Sequence, residues 1–290
     1  MVLRKDVEAP STLSDFLKDE FNLSSRLINE LKRNKAIFVG KKRRHLDYQL
    51  SPGEKVVVHI DREENTYPSA DIPIDIIYED EALLVINKQA GYSVHPAGGS
   101  AFTTILHGIS HLQKMRGENY KIRFVNRLDR DTSGVLIVAK NKYIHHQMSE
   151  GFIRHDVEKI YQCLIHGELR GETKVEAPIA MSADGVHRET VTGGKASITL
   201  LKPLEGNGDW SLIEAQPISG RTHQIRVHLK HLGLSIHGDE LYGVTDLAPR
   251  MMLHCISTTI RHPLSGEELR LEAALPVEFI HYLHYLQSKE

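Results

Sequence analysis

Short apolar runs separated by turn dipeptides set the strongest limit on how this chain can fold. Leu83–Ile86 and Val135–Ala139 have the length and composition of buried strands. Asp184-Gly185 and Asn207-Gly208 are typical of the turns that join antiparallel strands. The strands do not alternate regularly with helices, as they do in repeated βαβ units. The sequence therefore predicts an α+β fold with a mixed, mainly antiparallel sheet and flanking helices.

The first 62 residues show a different pattern. Apolar residues at helical spacing predict two short helices, with Ser11 and Ser24 as their N-caps. Ala36–Val39 and Lys55–Ile60 predict two strands of a small hairpin. This part is expected to form a small α/β module.

Charge is distributed unevenly around the end of this module. Residues 26–44 contain eight basic residues and one acid, whereas residues 61–81 contain eight acids and one basic residue. The reversal predicts a linker at residues 63–73, between a module at residues 1–62 and a larger domain at residues 74–290.

The formal net charge of −2 conceals local basic segments. A near-neutral chain looks unlike a nucleic-acid binder, because such proteins neutralise phosphates with basic residues. However, residues 121–142 carry six basic residues against two acids, and residues 215–237 carry three against none. These segments favour an RNA partner, and a solvated basic face is the alternative explanation.

Composition excludes several other classes of protein. No apolar run approaches the roughly 18 residues of a membrane span, and the N-terminus lacks the apolar region of a secretory signal. Cys163 and Cys255 form neither a disulfide framework nor a CxxC pair. We expect a cytoplasmic monomer without an obligate protein partner, in which both thiols are small core residues.

A loop rich in arginine and aspartate precedes the second buried strand. Asp129 stands between Arg127 and Arg130, and Gly134 allows a close backbone approach. A carboxylate flanked by arginines stays ionised, because opposite charge favours its charged form. Such a carboxylate can act as a nucleophile or a general base. A surface loop of ion pairs is the structural alternative.

A second candidate segment, from Ser219 to Gly233, contains no acid. Apolar residues at helical spacing from Ile225 to Leu232 predict a helix that ends at Gly233. Arg221 falls in the first turn of this predicted helix, where the helix dipole disfavours a cation. A phosphate or a catalytic carboxylate would compensate, and a solvated helix face is the alternative.

Two other kinds of site fit the sequence less well. Eighteen histidines suggest a metal centre, but no H-E-x-x-H motif or zinc-type cluster is present, so no metal site is expected. Asp129-x-Asp131 resembles the D-x-D motif of phosphatases with an aspartyl nucleophile. In those enzymes the motif follows an apolar strand, whereas Val125–Leu128 does not form a clean strand end.

Together the two candidate segments resemble the RluA-type pseudouridine synthases. That family carries H-R-L-D-x-x-T-S-G, matched by Asn126 to Gly134, and G-R-T-H-Q-I-R-x-H-L, matched by Gly220 to Leu229. Shorter matches follow the family order at Ile77–Gly91 with His95-Pro96, Lys159–Tyr161 with His166-Gly167, and Leu253-His254 with His262-Pro263. Asn126 replaces the usual His, and Gln89 replaces a usual Pro. The first 62 residues resemble, more weakly, an RNA-binding module shared with a small-subunit ribosomal protein.

The resemblance implies the isomerisation of uridine to pseudouridine in RNA, without a cofactor. The N–C glycosidic bond breaks, the uracil rotates and a C–C bond forms. Asp129 would be the nucleophile or base, and Arg221 would pair with it. Tyr161 would pack on the target base and relay a proton, while Leu253 would line the pocket.

A uridine stacked in a helix cannot reach a buried aspartate, so the target must be flipped or unpaired. Arg127 would then fill the vacated space by stacking on neighbouring bases. The other expected substrate contacts in the larger domain are Arg123, Arg130, Lys140, Lys142, Arg226, His223 and Gln224. Those expected in the N-terminal module are Arg26, Lys32, Arg33, Lys41, Lys42, Arg43 and Arg44.

The partner is expected to be ribosomal RNA, and transfer RNA stays an alternative. The competing hypothesis is a non-catalytic RNA-binding or ribosome-assembly protein on the same fold. The absence of Asp129, Tyr161 or Arg221 would have favoured that hypothesis, but all three are present.

Overall fold

A computed structural model describes residues 1–96, 103–154 and 156–289. The N-terminal module comprises strands β1 (Val2–Asp6), β2 (Ser11–Thr12), β3 (Ile37–Val39), β4 (Gln49–Leu50) and β5 (Lys55–His59), with helices α1 (Leu13–Asp19) and α2 (Ser25–Arg33). β5 pairs antiparallel with both β1 and β3, and β2 pairs with β4.

Side-chain caps start both helices of the module. The Ser24 hydroxyl accepts a hydrogen bond from the amide of Leu27, which confirms the predicted N-cap of α2. The prediction for α1 was wrong by one residue. Thr12, the second residue of β2 and the one directly before the helix, caps it by accepting from the amide of Asp15.

The larger part of the chain contains one main sheet and one separate hairpin. Its strands are β6 (Asp75–Glu79), β7 (Leu83–Lys88), β8 (Arg123–Phe124), β9 (Ser133–Ala139), β10 (Glu158–His166), β11 (Thr173–Glu176), β12 (Ile179–Met181), β13 (Arg188–Thr190), β14 (Ile198–Gly206), β15 (Trp210–Pro217), β16 (Ser235–Ile236), β17 (Leu253–Arg261) and β18 (Glu268–Glu272). Its helices are α3 (Ile105–Arg116), α4 (Lys142–Ile153), α5 (Gln224–His231) and α6 (Val277–Gln287).

Within the described residues the main sheet has the order β11-β14-β15-β10-β17-β9-β7-β6. β16, β18 and β8 add to it beside β10, β17 and β9, and β12 and β13 form a separate hairpin. All of these pairs are antiparallel except β9 with β17. The predicted mixed, mainly antiparallel sheet with flanking helices is therefore confirmed.

The predicted turns and buried strands also lie where the sequence placed them. Gly185 joins β12 to β13 with a φ of 72°, and Gly208 joins β14 to β15 with a φ of 103°. Every residue of β9 is buried, as its apolar sequence predicts. Cys163 and Cys255 are free, buried thiols in adjacent strands, as expected for core residues.

The parallel pair of β9 with β17 brings the two backbones close together at one glycine. Gly134 has a φ of 115° and pairs with Cys255. A Cβ atom at position 134 would lie 2.2 Å from the carbonyl oxygen of Cys255, so only glycine fits there. The predicted close approach at Gly134 is confirmed.

Polar contacts fix the module and the segment after it against the larger part. Lys142 of α4 lies 2.6 Å from Glu30, and Gln147 donates to the carbonyl oxygens of Phe21 and Asn22. In the 63–73 segment, the amide of Asn65 donates to two side chains of α3. That segment therefore packs against α3, while its role as a linker between two domains stays a prediction.

Of the helices formed by the described residues, none combines the length and apolar character that a membrane span requires. The core of the larger part lies on the central strands β7, β9, β10 and β17, whose apolar side chains are almost entirely buried.

We expect Gly134→Ala to lower the free energy of unfolding by about 3 kcal/mol, because the added methyl group meets backbone atoms in a left-handed conformation. Gly171→Ala is the matched control, since a Cβ atom at position 171 would have no atom within 4 Å. Urea unfolding of both variants measures the difference. Equal stability of the two would contradict the proposed close contact.

Candidate active site

A cavity of about 460 Å³ lies where the loop before β9 meets β10, the start of β17 and helix α5. Asp129 from that loop lines it together with Tyr161, Leu253 and Arg226. The pairing of β10 with β17 and of β17 with β9 brings these segments together. The structure thus collects eight of the predicted site residues around one cavity: Arg127, Asp129, Tyr161, Arg221, His223, Gln224, Arg226 and Leu253.

A buried lysine binds the backbone of the loop that carries Asp129. Lys88 is fully buried, and its Nζ donates to three backbone carbonyls, two of which belong to Arg130 and Thr132 at 2.9 and 2.8 Å. Burial lowers the pKa of Lys88 to about 7, against the opposing charges of Asp131 and Asp129. Because three carbonyl oxygens match the three hydrogens of an ammonium group, we assign Lys88 its charged form.

Asn126, which replaces the histidine usual in the resembling family, fixes the start of the same loop. Its Nδ2 donates to the carbonyl of Val135 at 3.1 Å, and its Oδ1 accepts from the amide of Ile137 at 2.8 Å. An amide can do both at once, since it carries a donor and an acceptor. The substitution therefore leaves the loop anchored to β9.

Asp129 faces Arg226 and not Arg221, so the predicted ion pair was wrong. Nη1 of Arg226 lies 3.4 Å from Oδ2 of Asp129. The Arg221 side chain is exposed, and its Nε donates to the carbonyl of Ala196 at 3.4 Å. The reason is where the helix begins. α5 starts at Gln224, so Arg221 precedes it while Arg226 lies in its first turn and faces inward.

Asp239 holds Arg226 in this orientation. Nε and Nη2 of Arg226 each make a 2.7 Å hydrogen bond to Asp239, whose side chain is 1% exposed. Burial opposes the charge of Arg226, yet the hydrogen bonds and charge of Asp239, with the charge of Asp129, raise its pKa. Arg226, predicted as a phosphate contact, therefore positions Asp129.

Tyr161 is buried in β10, and Leu253 is buried at the start of β17. Burial raises the pKa of Tyr161 well above its ordinary value, helped by the Cys255 thiol and the charge of Asp129. The phenol is therefore neutral at physiological pH. The side chain lines the cavity, and its hydroxyl is hydrogen-bonded to the Cys255 thiol.

His223, a predicted substrate contact, lies between Asp129 and Tyr242. Nε2 of His223 lies 3.9 Å from Asp129, and its Nδ1 lies 2.8 Å from the hydroxyl of Tyr242. Burial lowers the pKa of His223, although Asp129 opposes this.

Gln224 uses all of its hydrogen-bonding positions inside the protein. Its Nε2 donates to Ile198 and Thr199, while its Oε1 accepts from Ser219 and Arg221. The amide holds the approach to α5 together and offers no free group to a substrate, contrary to the prediction.

Four predicted phosphate contacts are engaged by carboxylates of this chain. The pairs are Arg123 with Glu63, Lys140 with Glu79, Lys142 with Glu30, and Arg130 with Asp131. In the first three the basic side chain is 12–15% exposed. Internal carboxylates thus neutralise these three side chains, whereas Arg130 is 62% exposed, and the contacts of all four with RNA stay predictions.

The seven predicted RNA contacts of the N-terminal module are all exposed. The guanidinium of Arg43 lies 5.7 Å from the centroid of the Phe38 ring, and that of Arg44 lies 4.6 Å from the Tyr48 ring. Stacking of this kind orients an arginine without neutralising it.

Three cations of the cavity wall, Arg127, Lys159 and Arg221, make no ion pair with a carboxylate among the described residues. Asp129 is the single carboxylate among the described residues that line the cavity. Lys159 was not among the predicted site residues. Its position two residues before Tyr161 was the available signal, because side chains two apart on a strand share a face.

His166, His237 and Asp246 also meet in the described part of the chain, although their sequence spacing suggested no cluster. Both imidazoles approach the same oxygen of Asp246, at 2.8 and 3.0 Å, and their ring centroids are 3.6 Å apart. This hydrogen-bonded set joins the end of β10 to the chain next to Asp239. It thus supports the residue that holds Arg226.

Comparison with known proteins gives consistent results. The family model described as RNA pseudouridylate synthase matches residues 82–231. The uncharacterized RNA pseudouridine synthase YjbO of Bacillus subtilis is 34% identical over 89% of this chain and 93% of its own. Ribosomal large subunit pseudouridine synthase D of Zymomonas mobilis is 34% identical over 71% of this chain and 70% of its own. Human RNA Pseudouridylate Synthase Domain Containing 4 superposes with a TM-score of 0.62 at 27% identity, covering 73% of this chain and 93% of its own.

We expect Arg226→Met to lower the free energy of unfolding by about 3–5 kcal/mol, because it leaves Asp239 buried without its partner. Arg221→Met should change it by less than about 0.5 kcal/mol, since that side chain is exposed. Chemical denaturation of both variants makes the comparison. A larger loss for Arg221→Met would restore the original assignment of the ion pair.

Proposed function

The chain belongs to the RNA pseudouridylate synthase family, and we propose that it isomerises uridines of ribosomal RNA with Asp129 as the essential group. The family makes the chain an isomerase that acts on uridine in RNA. Ribosomal RNA is favoured as the substrate because several similar proteins are named ribosomal large subunit pseudouridine synthases.

The observation that carries the proposal is the charge arrangement of the cavity. One carboxylate, Asp129, lies against Arg226, while Arg127, Lys159 and Arg221 supply unpaired positive charge in the wall. A matching ligand would be a polyanion whose phosphates lie near the three cations and whose neutral base lies beside Asp129. RNA with a flipped uridine is such a ligand.

In the proposed reaction, Asp129 acts on the target nucleotide as nucleophile or general base. The bond from N1 of uracil to C1′ of ribose breaks, the uracil rotates, and a bond from C5 to C1′ replaces it. The proton lost from C5 is balanced by the one gained at N1, so no co-reactant is needed. Arg226 orients the carboxylate, and Tyr161 packs on the base during rotation.

The burial of Asp129 requires that the target base leave its helix. Its side chain is 19% exposed, so a base stacked in a helix cannot reach it. Extruding the nucleotide costs a few kcal/mol. Arg127 is exposed at the wall of the cavity and has no carboxylate partner among the described residues. Its planar guanidinium can stack where the base was, which offsets part of that cost.

We expect Asp129→Asn to reduce pseudouridine formation about a thousandfold or more, while the protein stays folded and binds RNA. Total RNA from cells lacking the protein is mapped for pseudouridine after complementation with wild type or variant. Asp131→Asn is the matched control, because this neighbouring carboxylate pairs with Arg130 outside the cavity lining.

Restoration of the missing pseudouridine by Asp129→Asn at the wild-type rate would exclude Asp129 as the essential group. The same pseudouridine map identifies which RNA is modified. A wild-type protein that binds ribosomal RNA but restores no pseudouridine would support the competing function, a non-catalytic assembly factor.

The N-terminal module is proposed to bind RNA through its exposed cations. Replacing Lys41, Lys42, Arg43 and Arg44 by Gln should weaken RNA binding and flatten its dependence on salt, because fewer counterions are released. The turnover of bound RNA should change little. Lys174→Gln with Lys202→Gln is the control, since both lysines are paired with glutamates. An unchanged salt dependence would contradict the proposed contact.

A further inference from the structure

Lys159 is a cation with unusual surroundings. Its side chain is half-buried in the cavity wall, and Nζ lies 5.8 Å from the centroid of the Phe152 ring. Among the described residues, no hydrogen-bond acceptor or carboxylate partners its ammonium group. Burial lowers the pKa of Lys159, which reflects the cost of holding this charge away from water.

Several other cations that are buried among the described residues have internal partners. Arg226 has Asp239, Lys140 has Glu79, and Lys88 has three backbone carbonyls. Lys159 is half-buried and lies over the Phe152 ring, yet among the described residues it has no acceptor or carboxylate for its charge, so folding alone does not explain it. An anion that enters the cavity from outside would explain it.

The position of Lys159 relative to its neighbours indicates which anion fits. Lys159 and Tyr161 lie on the same face of β10, and both line the cavity. A Cβ atom at position 220 would lie 3.6 Å from Nζ of Lys159, so the ammonium group lies beside the backbone that leads to Arg221. Arg221 follows directly, and its exposed guanidinium lines the same cavity.

We propose that Lys159 and Arg221 form a phosphate site inside the cavity, which holds a backbone phosphate of the flipped uridine nucleotide. The proposal rests on the function proposed above and adds a contact to it. Phosphate contacts fix the register of a nucleic acid without reading its sequence. The site would thus seat the ribose so that the attached base reaches Tyr161 and Asp129, and it would favour a nucleotide over a nucleoside.

The test combines a protein change with a matching change in the RNA. A synthetic hairpin that contains the mapped uridine is made with one uncharged methylphosphonate, placed either before or after that uridine. Wild type, Lys159→Met and Lys159→Arg are assayed on each hairpin. Lys230→Met is the control for charge loss, because Lys230 is exposed on α5 and does not line the cavity.

We expect Lys159→Met to reduce kcat/KM on natural RNA by about 10–100-fold, mainly through KM, as for the loss of a hydrogen bond to a charged group. Lys159→Arg should retain most of the activity. One of the two methylphosphonates should lower the kcat/KM of wild type by a similar factor. The same methylphosphonate should lower the kcat/KM of Lys159→Met little further. Such non-additivity identifies a direct contact.

The melting temperature of Lys159→Met separates this role from a structural one. It should equal or exceed that of wild type, because an unpaired buried charge is replaced by an apolar side chain of similar length. A lower melting temperature together with fully additive losses on both methylphosphonate hairpins would overturn the proposal and make Lys159 a structural residue.

Failure of the two proposals can be told apart. If wild type converts the hairpin but Lys159→Met does so equally well, the phosphate site is wrong and the enzymatic function stands. If wild type converts no RNA, the function is wrong. The phosphate site is then decided by NMR titration with uridine and uridine 5′-monophosphate. A preference for the monophosphate that Lys159→Met loses supports the site, and equal binding refutes it.

Discussion

The backbone contact between Gly134 and Cys255 is the constraint on which the rest of the structure depends. It lets β9 lie parallel to β17, and β17 in turn pairs with β10. The loop that carries Asp129 ends where β9 begins, so this contact sets the distance from Asp129 to the residues on β10 and β17. A side chain at position 134 would push apart the strands that enclose the cavity.

Charge pairing inside the chain separates structural cations from those available to RNA. Glu30, Glu63 and Glu79, from the N-terminal module and the acidic stretch after it, neutralise basic residues of the larger part. Asp239 does the same for Arg226 while leaving it in contact with Asp129. Among the described residues, the cations without a carboxylate partner include Arg127, Lys159 and Arg221 in the cavity wall and the exposed basic residues of the module. A net charge of −2 is therefore compatible with an RNA substrate.

Local patterns predicted the fold class, the turns, the start of α2 and the end of α5, because periodicity and turn chemistry act over a few residues. Helix caps were predicted correctly for α2 and missed by one residue for α1, where the Thr12 hydroxyl accepts from the amide of Asp15. The pairing of Lys140 with Glu79 could not be predicted from segment charge. The two residues are 61 positions apart and meet only when the sheet forms.

The sequence by itself determined the family, through two long motifs that include Asp129 and shorter matches, in the right order, that include Tyr161 and Leu253. Only the tertiary structure decided which arginine meets Asp129. Arg221 and Arg226 occur in one motif, and the choice depends on where α5 starts and on Asp239, which lies 13 residues further along. The same holds for Lys159, whose lack of a partner is a property of its surroundings. A motif specifies which side chains are present, whereas packing specifies which of them are paired.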